Sequence, residues 1–201
     1  STQVMFVVDN LEMARKFQQQ EIAYQKASFA AEHDTMTGLW NKSAGLQRIR
    51  EHLTSMNANE EAMLMFVDID DFKHVNDTYG HSNGDFWIRQ VAETLRNIYR
   101  IDDVICRFGG DEFVALIKGT NSPSVIRTTL GLFSNQMREM SAKRNQDVHC
   151  SVGICRVTAG GYRSPEHIVA TADRALYEAK RNGKHAYVVY DSDGSRMELA
   201  Q

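Results

Sequence analysis

The chain has 201 residues, of which 42% are hydrophobic and 24% charged, and it contains 13 Gly and only 2 Pro. This composition excludes the collagen-like, low-complexity and broadly disordered classes, and the length suits one globular domain with an appendage. A formal net charge of -3 lacks the strong positive field that retains nucleic acid polymers, so we expect no partner of that kind.

Three cysteines, Cys106, Cys150 and Cys155, form no CxxC pair and leave one thiol over in any disulfide scheme. We therefore expect structural thiols in a reducing compartment. Residues 4–8 (VMFVV) are apolar and stand near the start of a chain that lacks an initiator Met. They are either an ordinary helix turn or a sign that a membrane or sensor region lies N-terminal to the chain. The predicted location is cytoplasmic, either free or as the cytoplasmic part of an inner-membrane protein.

Residues 1–33 contain neither Gly nor Pro, and their apolar side chains recur near helical spacing. The pattern predicts one long helix that acts as an N-terminal linker. Gln18 and Gln25 fall where a coiled-coil seam prefers apolar residues, so packing of the helix on its own domain competes with a coiled coil. Capping residues and a Gly within residues 33–41 mark the boundary of the next domain, predicted to span residues 34–190.

The elements of this domain follow from apolar runs, turn residues and caps. We predict helices over 43–57, 84–99, 122–142 and 164–181, and strands over 63–67, 104–108, 113–117, 148–157 and 185–190. The order contains a β-α-β-β-α-β core, so the predicted fold class is α+β, ferredoxin-like, with a mostly antiparallel central sheet behind a long N-terminal helix. Residues 191–201 are predicted to be a tail.

Four carboxylates are predicted to converge. Asp68 and Asp70 end the first strand, and Asp111 and Glu112 lie in the turn of the central hairpin. Such acids repel one another unless a cation lies among them, and hard oxygen ligands without a His or Cys cluster favour Mg²⁺ or Mn²⁺. Two ions held in this way suit phosphoryl and nucleotidyl transfer. Solvated turn acids are the alternative.

Residues 107–113 (RFGGDEF) resemble the hairpin of the GGDEF-domain diguanylate cyclases. Four further blocks resemble the same family in the same order. They are residues 34–41 (DTMTGLWN), 68–85 (DIDDFKHVNDTYGHSNGD), 151–154 (SVGI) and 175–184 (ALYEAKRNGK).

The resemblance implies that two GTP molecules condense to cyclic di-GMP and two pyrophosphates, each domain of a homodimer holding one GTP. It implies that the metal ligands are Asp68, the Ile69 backbone carbonyl, Asp111 and Glu112, with two Mg²⁺ (or Mn²⁺) ions per site. Asp111 is the candidate base at the 3′-hydroxyl, with Glu112 as the second catalytic acid.

The resemblance also implies a set of GTP contacts: Phe72, Lys73, Asn76, His81, Asp85, Gly109, Gly110, Lys180 and Lys184. Asn76 and Asp85 suit guanine selection, because a carboxylate accepts from the N1-H and N2-H₂ groups that adenine lacks. The structural alternatives are a cap or turn role for Asn76, an N-cap of the 84–99 helix for Asp85, and a turn role for His81. Gly109 and Gly110 are expected to let backbone N-H groups approach the phosphates, so any side chain there should obstruct GTP.

Arg100 and Asp103 match the spacing of the family's RxxD inhibitory site. Arg100 would contact a phosphate or stack on guanine of bound cyclic di-GMP, and Asp103 would read its Watson-Crick edge. Three positions depart from the family pattern: Lys42 and Lys184 stand for a usual Arg, and Gly45 for a usual Phe. Two functions compete with that of an active cyclase. One is a catalytically inactive GGDEF domain that serves as a receptor for GTP or cyclic di-GMP, and the other is a cyclase of altered product range that forms cyclic AMP-GMP or linear products.

Overall fold

The centre of the fold is β1 (Glu61–Ile69), in which every residue after Glu61 is buried. A computed structural model describes residues 2–158 and 164–197, with side chains from residue 11 onward. A continuous apolar run suits a strand covered on both faces. β1 pairs antiparallel with its neighbours on both sides, β3 (Glu112–Lys118) and β4 (Cys150–Thr158). The strand that ends in Asp68 therefore occupies the middle of the sheet.

The other strands are β2 (Val104–Arg107), β5 (Tyr187–Asp191) and β6 (Arg196–Met197). Over the described residues the sheet has six strands, in the order β2-β3-β1-β4-β5-β6. β4 and β5 are parallel, and the other pairs are antiparallel. The predicted mixed fold with a mostly antiparallel sheet and a ferredoxin-like core is confirmed.

Helices cover both faces of the sheet. They are α2 (Lys42–Ser55), α4 (His81–Ile98), α5 (Pro123–Arg144) and α6 (Pro165–Arg181), while α1 (Thr2–Glu32) precedes the domain and the short α3 (Phe72–Tyr79) follows β1. Met63, Met65 and Val67 of β1 face the core shared with α4 and α5. Leu64 and Phe66 alternate with them and face the core shared with α2 and α6. Among the residues described, no helix is long and apolar enough to cross a membrane.

The region after β1 differs from the prediction. A single helix over 84–99 was expected, whereas the chain forms α3 and α4, separated by Gly80 with φ 86°. α4 begins at His81, so the interpretation of Asp85 as a helix N-cap is wrong. Arg196 and Met197, expected in a tail, form β6 against β5. Residues 198–201 lie outside the described residues.

α2 approaches the sheet closely because of Gly45. A Cβ atom at this position would lie 2.5 Å from Cys106 Sγ, so no side chain fits between α2 and β2. Lys42, the other departure in this region, holds its ammonium 3.9 Å from the centre of the Phe108 ring. Both departures from the family pattern therefore have a packing explanation.

The C-terminal end of α1 is fixed to the domain by stacked rings. His33 stacks between Phe29 and Trp40, with ring centroids 4.0 and 4.1 Å apart, and the Arg48 guanidinium lies 3.6 Å from the Trp40 ring centre. Further up α1, Leu11, Phe17 and Ile22 are exposed by 58%, 65% and 45%. This helix therefore presents unpartnered apolar side chains beyond the stack.

Candidate active site at the end of β1

The strand register brings Asp68 of β1 directly opposite Glu112 of β3. One residue further on, the Ile69 N-H donates to the Asp111 carbonyl at 3.3 Å. The hairpin turn is closed by the Phe108 N-H, which donates to the Glu112 carbonyl at 2.8 Å. Three of the four predicted acids therefore meet at one end of the central strands.

Asp68 is the most buried of these acids, with a side chain that is 7% exposed. Its pKa is raised to about 6: burial is the largest cause, Lys180 opposes the shift, and the neighbouring Asp111 and Glu112 charges add to it. The Lys180 ammonium lies 2.8 Å from Asp68 Oδ2. The site thus concentrates negative charge at a poorly solvated position, which favours a cation.

Lys184, the other lysine from the end of α6, pairs with Asp71 at 2.6 Å. This hydrogen bond raises the pKa of Lys184 and lowers that of Asp71. Asp71, Lys184 and His185 all have positive φ, of 50°, 62° and 47°. Such strained backbone in non-glycine residues clusters at functional sites, and here it lies on both sides of one ion pair.

Asp70 does not join the other acids, which corrects the expected convergence of four carboxylates. Its Oδ1 accepts from the Ser151 hydroxyl at 2.7 Å, and its Oδ2 accepts from the His185 N-H at 3.0 Å. Asp70 is buried, and these bonds connect β1, β4 and the turn after α6. Asp70 therefore fixes the position of the loop that carries Lys184.

Arg107 fixes the backbone of the glycine turn through hydrogen bonds. No role was predicted for this residue from the sequence. Its guanidinium donates to the Gly110 carbonyl at 2.7 Å and to the Gly109 carbonyl at 3.2 Å. It also pairs with Asp34 at 3.1 Å. Burial raises the pKa of Asp34, but the hydrogen bonds from Thr37 and the charge of Arg107 outweigh it and leave the pKa below its usual value.

The two glycines of the turn differ in their surroundings. A Cβ at Gly109 would lie 2.5 Å from Glu112 Oε2, so a side chain there would displace a candidate ligand. A Cβ at Gly110 would meet no protein atom within 4 Å. We expected that a side chain at either glycine would obstruct GTP. The surrounding protein atoms exclude a side chain only at Gly109, so at Gly110 the expectation depends on GTP itself.

The candidate guanine residues lie on α3 and α4. Asn76 and Asp85 are half-buried, and so is Phe72. Gly84, in the first turns of α4, lets α4 approach α3 closely: a Cβ at this position would overlap Asn76 Oδ1 and lie 3.1 Å from Phe72 Cζ. The Asn76 amide therefore lies directly against the start of α4, next to Asp85. Lys73 and His81 are exposed at the outer surface of the same two helices.

The candidate inhibitory residues occupy the turn before β2. Arg100 is exposed, whereas Asp103 is buried. Asp103 Oδ2 accepts from the Arg100 N-H, and its Oδ1 accepts from the Lys118 N-H, both at 2.9 Å. The predicted contact of Asp103 with a guanine edge thus competes with two backbone hydrogen bonds.

The donor set suits a cation that completes its shell with ligand atoms from a substrate. Among the residues that the structure describes, no three His, Cys, Asp or Glu side chains converge closely enough to hold a metal ion alone. Mg²⁺ is usually bound by one or two carboxylates together with phosphate oxygens and water. The carboxylates of Asp68, Asp111 and Glu112 fit this incomplete arrangement.

The family model for "Diguanylate cyclase, GGDEF domain" matches residues 31–186. The chain is 33% identical over 159 residues to diguanylate cyclase A of Treponema denticola, covering 76% of this chain and 42% of the relative. It is 32% identical over 170 residues to the probable diguanylate cyclase DgcE of Escherichia coli, covering 83% of this chain and 15% of the relative. The chain thus spans less than half the length of either protein.

Solved structures resemble the chain over most of its length. The coiled coil and GGDEF domain of DgcB from Caulobacter crescentus, in complex with c-di-GMP, gives a TM-score of 0.73 at 26% identity. That match covers 90% of this chain and 95% of the other. Diguanylate cyclase SiaD from Pseudomonas aeruginosa, in complex with its activator SiaC, gives 0.70 at 28% identity and covers 94% and 73%.

Proposed function

Because the chain belongs to the GGDEF family of diguanylate cyclases, we propose that it condenses two GTP molecules into cyclic di-GMP and two pyrophosphates. The observation that carries this proposal is the register of β1 and β3, which sets Asp68 opposite Glu112 with Asp111 beside them. The free thiols and a nucleotide substrate favour a reducing compartment, and we propose the cytoplasm.

Divalent metal would be held by the carboxylates of Asp68, Asp111 and Glu112 and by the Ile69 carbonyl. We propose Mg²⁺ or Mn²⁺, two ions per site. Such ions neutralise phosphate charge and lower the pKa of an attacking hydroxyl. Lys180 and Lys184, now paired with Asp68 and Asp71, would exchange these partners for phosphate oxygens when the triphosphate binds.

Asp111 is the proposed general base. It lies in a turn whose backbone is fixed on one side by the Ile69 N-H, which donates to its carbonyl, and on the other by Arg107. A carboxylate held at the rim of the site can accept the proton of the 3′-hydroxyl of the second GTP. Glu112, on β3, faces Asp68 and would contribute charge at the α-phosphate.

Guanine selection is assigned to Asn76 and Asp85. Asp85 would accept from the N1-H and N2-H₂ groups of guanine, and the Asn76 amide would face its acceptors. Adenine would leave Asp85 without a donor, and sites built to pair polar groups reject such a base strongly. Phe72 lies beside Gly84 at the same place and offers an apolar surface.

A second copy of the chain completes the proposed site, because one domain holds one GTP and the reaction joins two. Leu11, Phe17 and Ile22 of α1 are exposed apolar residues that can pair two copies. We propose a homodimer in which α1 sets the approach of the two half-sites.

Product inhibition is proposed at the turn before β2. Arg100 is exposed and its guanidinium can pair bidentately with a phosphate of cyclic di-GMP. Asp103 would read the guanine edge with lone pairs left after its two backbone hydrogen bonds, which also fix the turn. Bound product would then hold the domains apart.

The test is pyrophosphate release from GTP and Mg²⁺, measured for the parent, Asp111→Asn and Asp193→Asn. Asp193 is an exposed aspartate that caps the turn before β6, so its variant serves as the matched control. We expect Asp111→Asn to lose at least 100-fold in rate, as is usual for a catalytic acid-base group, and Asp193→Asn to keep the parent rate. Equal rates for the two variants would contradict the role of Asp111.

An Arg100→Ala variant tests feedback in the same assay. We expect its reaction to continue after the parent has slowed, because accumulated product would no longer bind. Nucleotide binding by the parent without any turnover would instead support the receptor function.

A further inference from the structure

The corner between α3 and α4 carries the two candidate guanine residues on its two arms. Asn76 lies on α3, and its carbonyl accepts from the Gly80 N-H at 2.9 Å. Asp85 lies on α4, five residues after Gly80. Because Asn76 and Asp85 both lie on helices within about one and a half turns of Gly80, a movement of this corner moves both recognition groups.

Asn83 is the hub of the hydrogen bonds at this corner. Its Nδ2 donates to the Tyr79 carbonyl at 2.6 Å, which joins the end of α3 to the start of α4. Its Oδ1 accepts from Arg144 Nη2 at 2.7 Å and from Gln146 Nε2 at 3.0 Å. Both the nitrogen and the oxygen of the amide are thus hydrogen-bonded, and two of its partners come from the last residue of α5 and the segment that joins α5 to β4.

That segment is itself fixed to the core. Gln146 Oε1 accepts from the indole N-H of the fully buried Trp87 at 2.8 Å. The Arg144 guanidinium lies 3.9 Å from the centre of the Phe86 ring. The turn begins at Asn145, which ends α5 with φ 50°. The contact between the turn and the corner is therefore anchored on both sides rather than made between two loose loops.

We propose that Asn83, supported by Arg144 and Gln146, is a positioning residue that sets selectivity for a 2-aminopurine nucleotide. The inference rests on the proposed function, because it assumes that Asp85 meets the base. Asn83 precedes Asp85 by two residues on the same helix and touches neither the base nor the phosphates in this arrangement. Its effect is to hold the Asp85 carboxylate at the distance that the N2-H₂ group requires.

The contact between Asn76 and α4 also depends on the position of α4. Gly84 leaves no space between the Asn76 amide and α4, since a Cβ there would overlap Asn76 Oδ1. A shift of α4 would therefore displace Asn76 and Asp85 together. Loosening the corner should weaken recognition of the base more than recognition of the triphosphate, because two of its three candidate lysines, Lys180 and Lys184, lie at the end of α6 and only Lys73 lies on α3.

The experiment compares two nucleotides that differ only at the 2-position of the base. 3′-Deoxy-GTP and 3′-deoxy-ITP both lack the attacking hydroxyl, so they bind without condensing, and inosine lacks the 2-amino group. Binding to the full chain with Mg²⁺ is measured by calorimetry for the parent, Asn83→Ala, Gln146→Met and Arg144→Gln. Asn135→Ala is the matched control, because Asn135 accepts from Arg138 at 2.8 Å on the exposed face of α5.

We expect the parent to prefer the guanine nucleotide, and this preference to fall about tenfold in Asn83→Ala and Gln146→Met, which is about 1.4 kcal/mol. The control should keep the parent ratio. Arg144→Gln changes an exposed residue outside the core, so it remains informative if the other variants fold poorly; its ratio should fall about threefold, as for one lost hydrogen bond. A general loss of stability would weaken both nucleotides equally and leave the ratio unchanged.

An unchanged ratio in the folded variants, with a parent that prefers guanine, would overturn the role of Asn83 and leave the proposed function standing. A parent that binds neither nucleotide, or binds both equally, would overturn the assignment of Asp85 and the proposed function with it.

Discussion

Replacing Arg107 with Met should disconnect the glycine turn from the N-terminal motif. Removal of the guanidinium breaks the ion pair with Asp34 and frees the Gly109 and Gly110 carbonyls. The two side chains are 13% and 22% exposed, so the pair is neither fully buried nor solvated.

The expected loss of stability in Arg107→Met lies between the values for exposed and for buried ion pairs. Exposed pairs contribute about 0–1 kcal/mol, whereas removal of one partner of a buried pair costs about 3–5 kcal/mol. Asp34 keeps its hydrogen bonds from the Thr37 N-H and hydroxyl, at 2.9 and 2.7 Å, which softens the loss. We expect a loss of about 2 kcal/mol in the free energy of unfolding, which lowers the Tm by about 4–8 °C. The rate of cyclic di-GMP formation should fall at least tenfold, because the turn loses its orientation.

The assay is thermal unfolding of a double-mutant cycle of Arg107→Met and Asp34→Asn, with the exposed Arg138→Met as control. We expect a coupling energy of about 1 kcal/mol or more in the cycle and a control within about 0.5 kcal/mol of the parent. The lowered pKa of Asp34 means that its contribution is present above the unfolded pKa of about 3.9 and is lost as pH falls through the lower folded value. Additive single variants, or a Tm difference between parent and Arg107→Met that does not become smaller as the pH falls toward 2, would refute the reasoning.

Three further outcomes are expected. Gly153→Ala should lower the free energy of unfolding, measured with denaturant, by about 3 kcal/mol or more, because its Cβ would lie 2.7 Å from Leu176 Cα and overlap the backbone of α6. For comparison, Gly131→Ala, which has open space around it in α5, should raise the free energy of unfolding by about 0.5–1 kcal/mol. Asp68→Asn should raise the Tm in metal-free buffer at pH 7, and in a separate assay with Mg²⁺ it should abolish activity. The raised pKa of Asp68 means that its stabilising contribution is present below pH 4 and lost as pH rises through about 6; a lower Tm would contradict this sign. Burial raises the pKa of the Cys106 and Cys155 thiols to about 12, so native protein at pH 8 should react slowly with a thiol reagent and unfolded protein rapidly; fast native labelling of both would contradict their burial.

Elements of the fold could be predicted from the sequence where the local residue pattern agrees with the burial in the structure. The apolar run before Asp68 predicted a central strand, and Ser164 before Pro165 predicted the start of α6, where the Ser164 side chain accepts from the His167 N-H. The hairpin around residues 109–112 followed from its glycines. In each case the signal lies within a few residues of the element that it specifies.

The missing parts depend on local weakness or on distance along the chain. α3 has one buried residue, Val75, and its N-cap Asp71 makes no side-chain capping bond, so no pattern predicted it. β6 is two residues long and exists through pairing with β5. The partners of Asp70 come from β4 and from the turn after α6, far away in sequence.

In the candidate site, too, residues of local motifs could be predicted, whereas contacts between residues far apart in the sequence could not. The family motifs named Asp68, Asp111 and Glu112, and the structure brings them to one end of the sheet. They did not predict that Arg107 connects the glycine turn to Asp34, because that contact spans 73 residues. Likewise, the two hydrogen bonds to Asp103 arise from a turn and a neighbouring strand that only the fold brings together.

The most direct test of the central claim is mass analysis of the product formed from GTP and Mg²⁺ at several protein concentrations. We expect a cyclic dinucleotide of two guanosine monophosphates, with a rate per protein that rises with concentration because two half-sites must meet. A linear dinucleotide as the end product would contradict the double condensation, and bound GTP without product at any concentration would contradict the proposed cyclase activity.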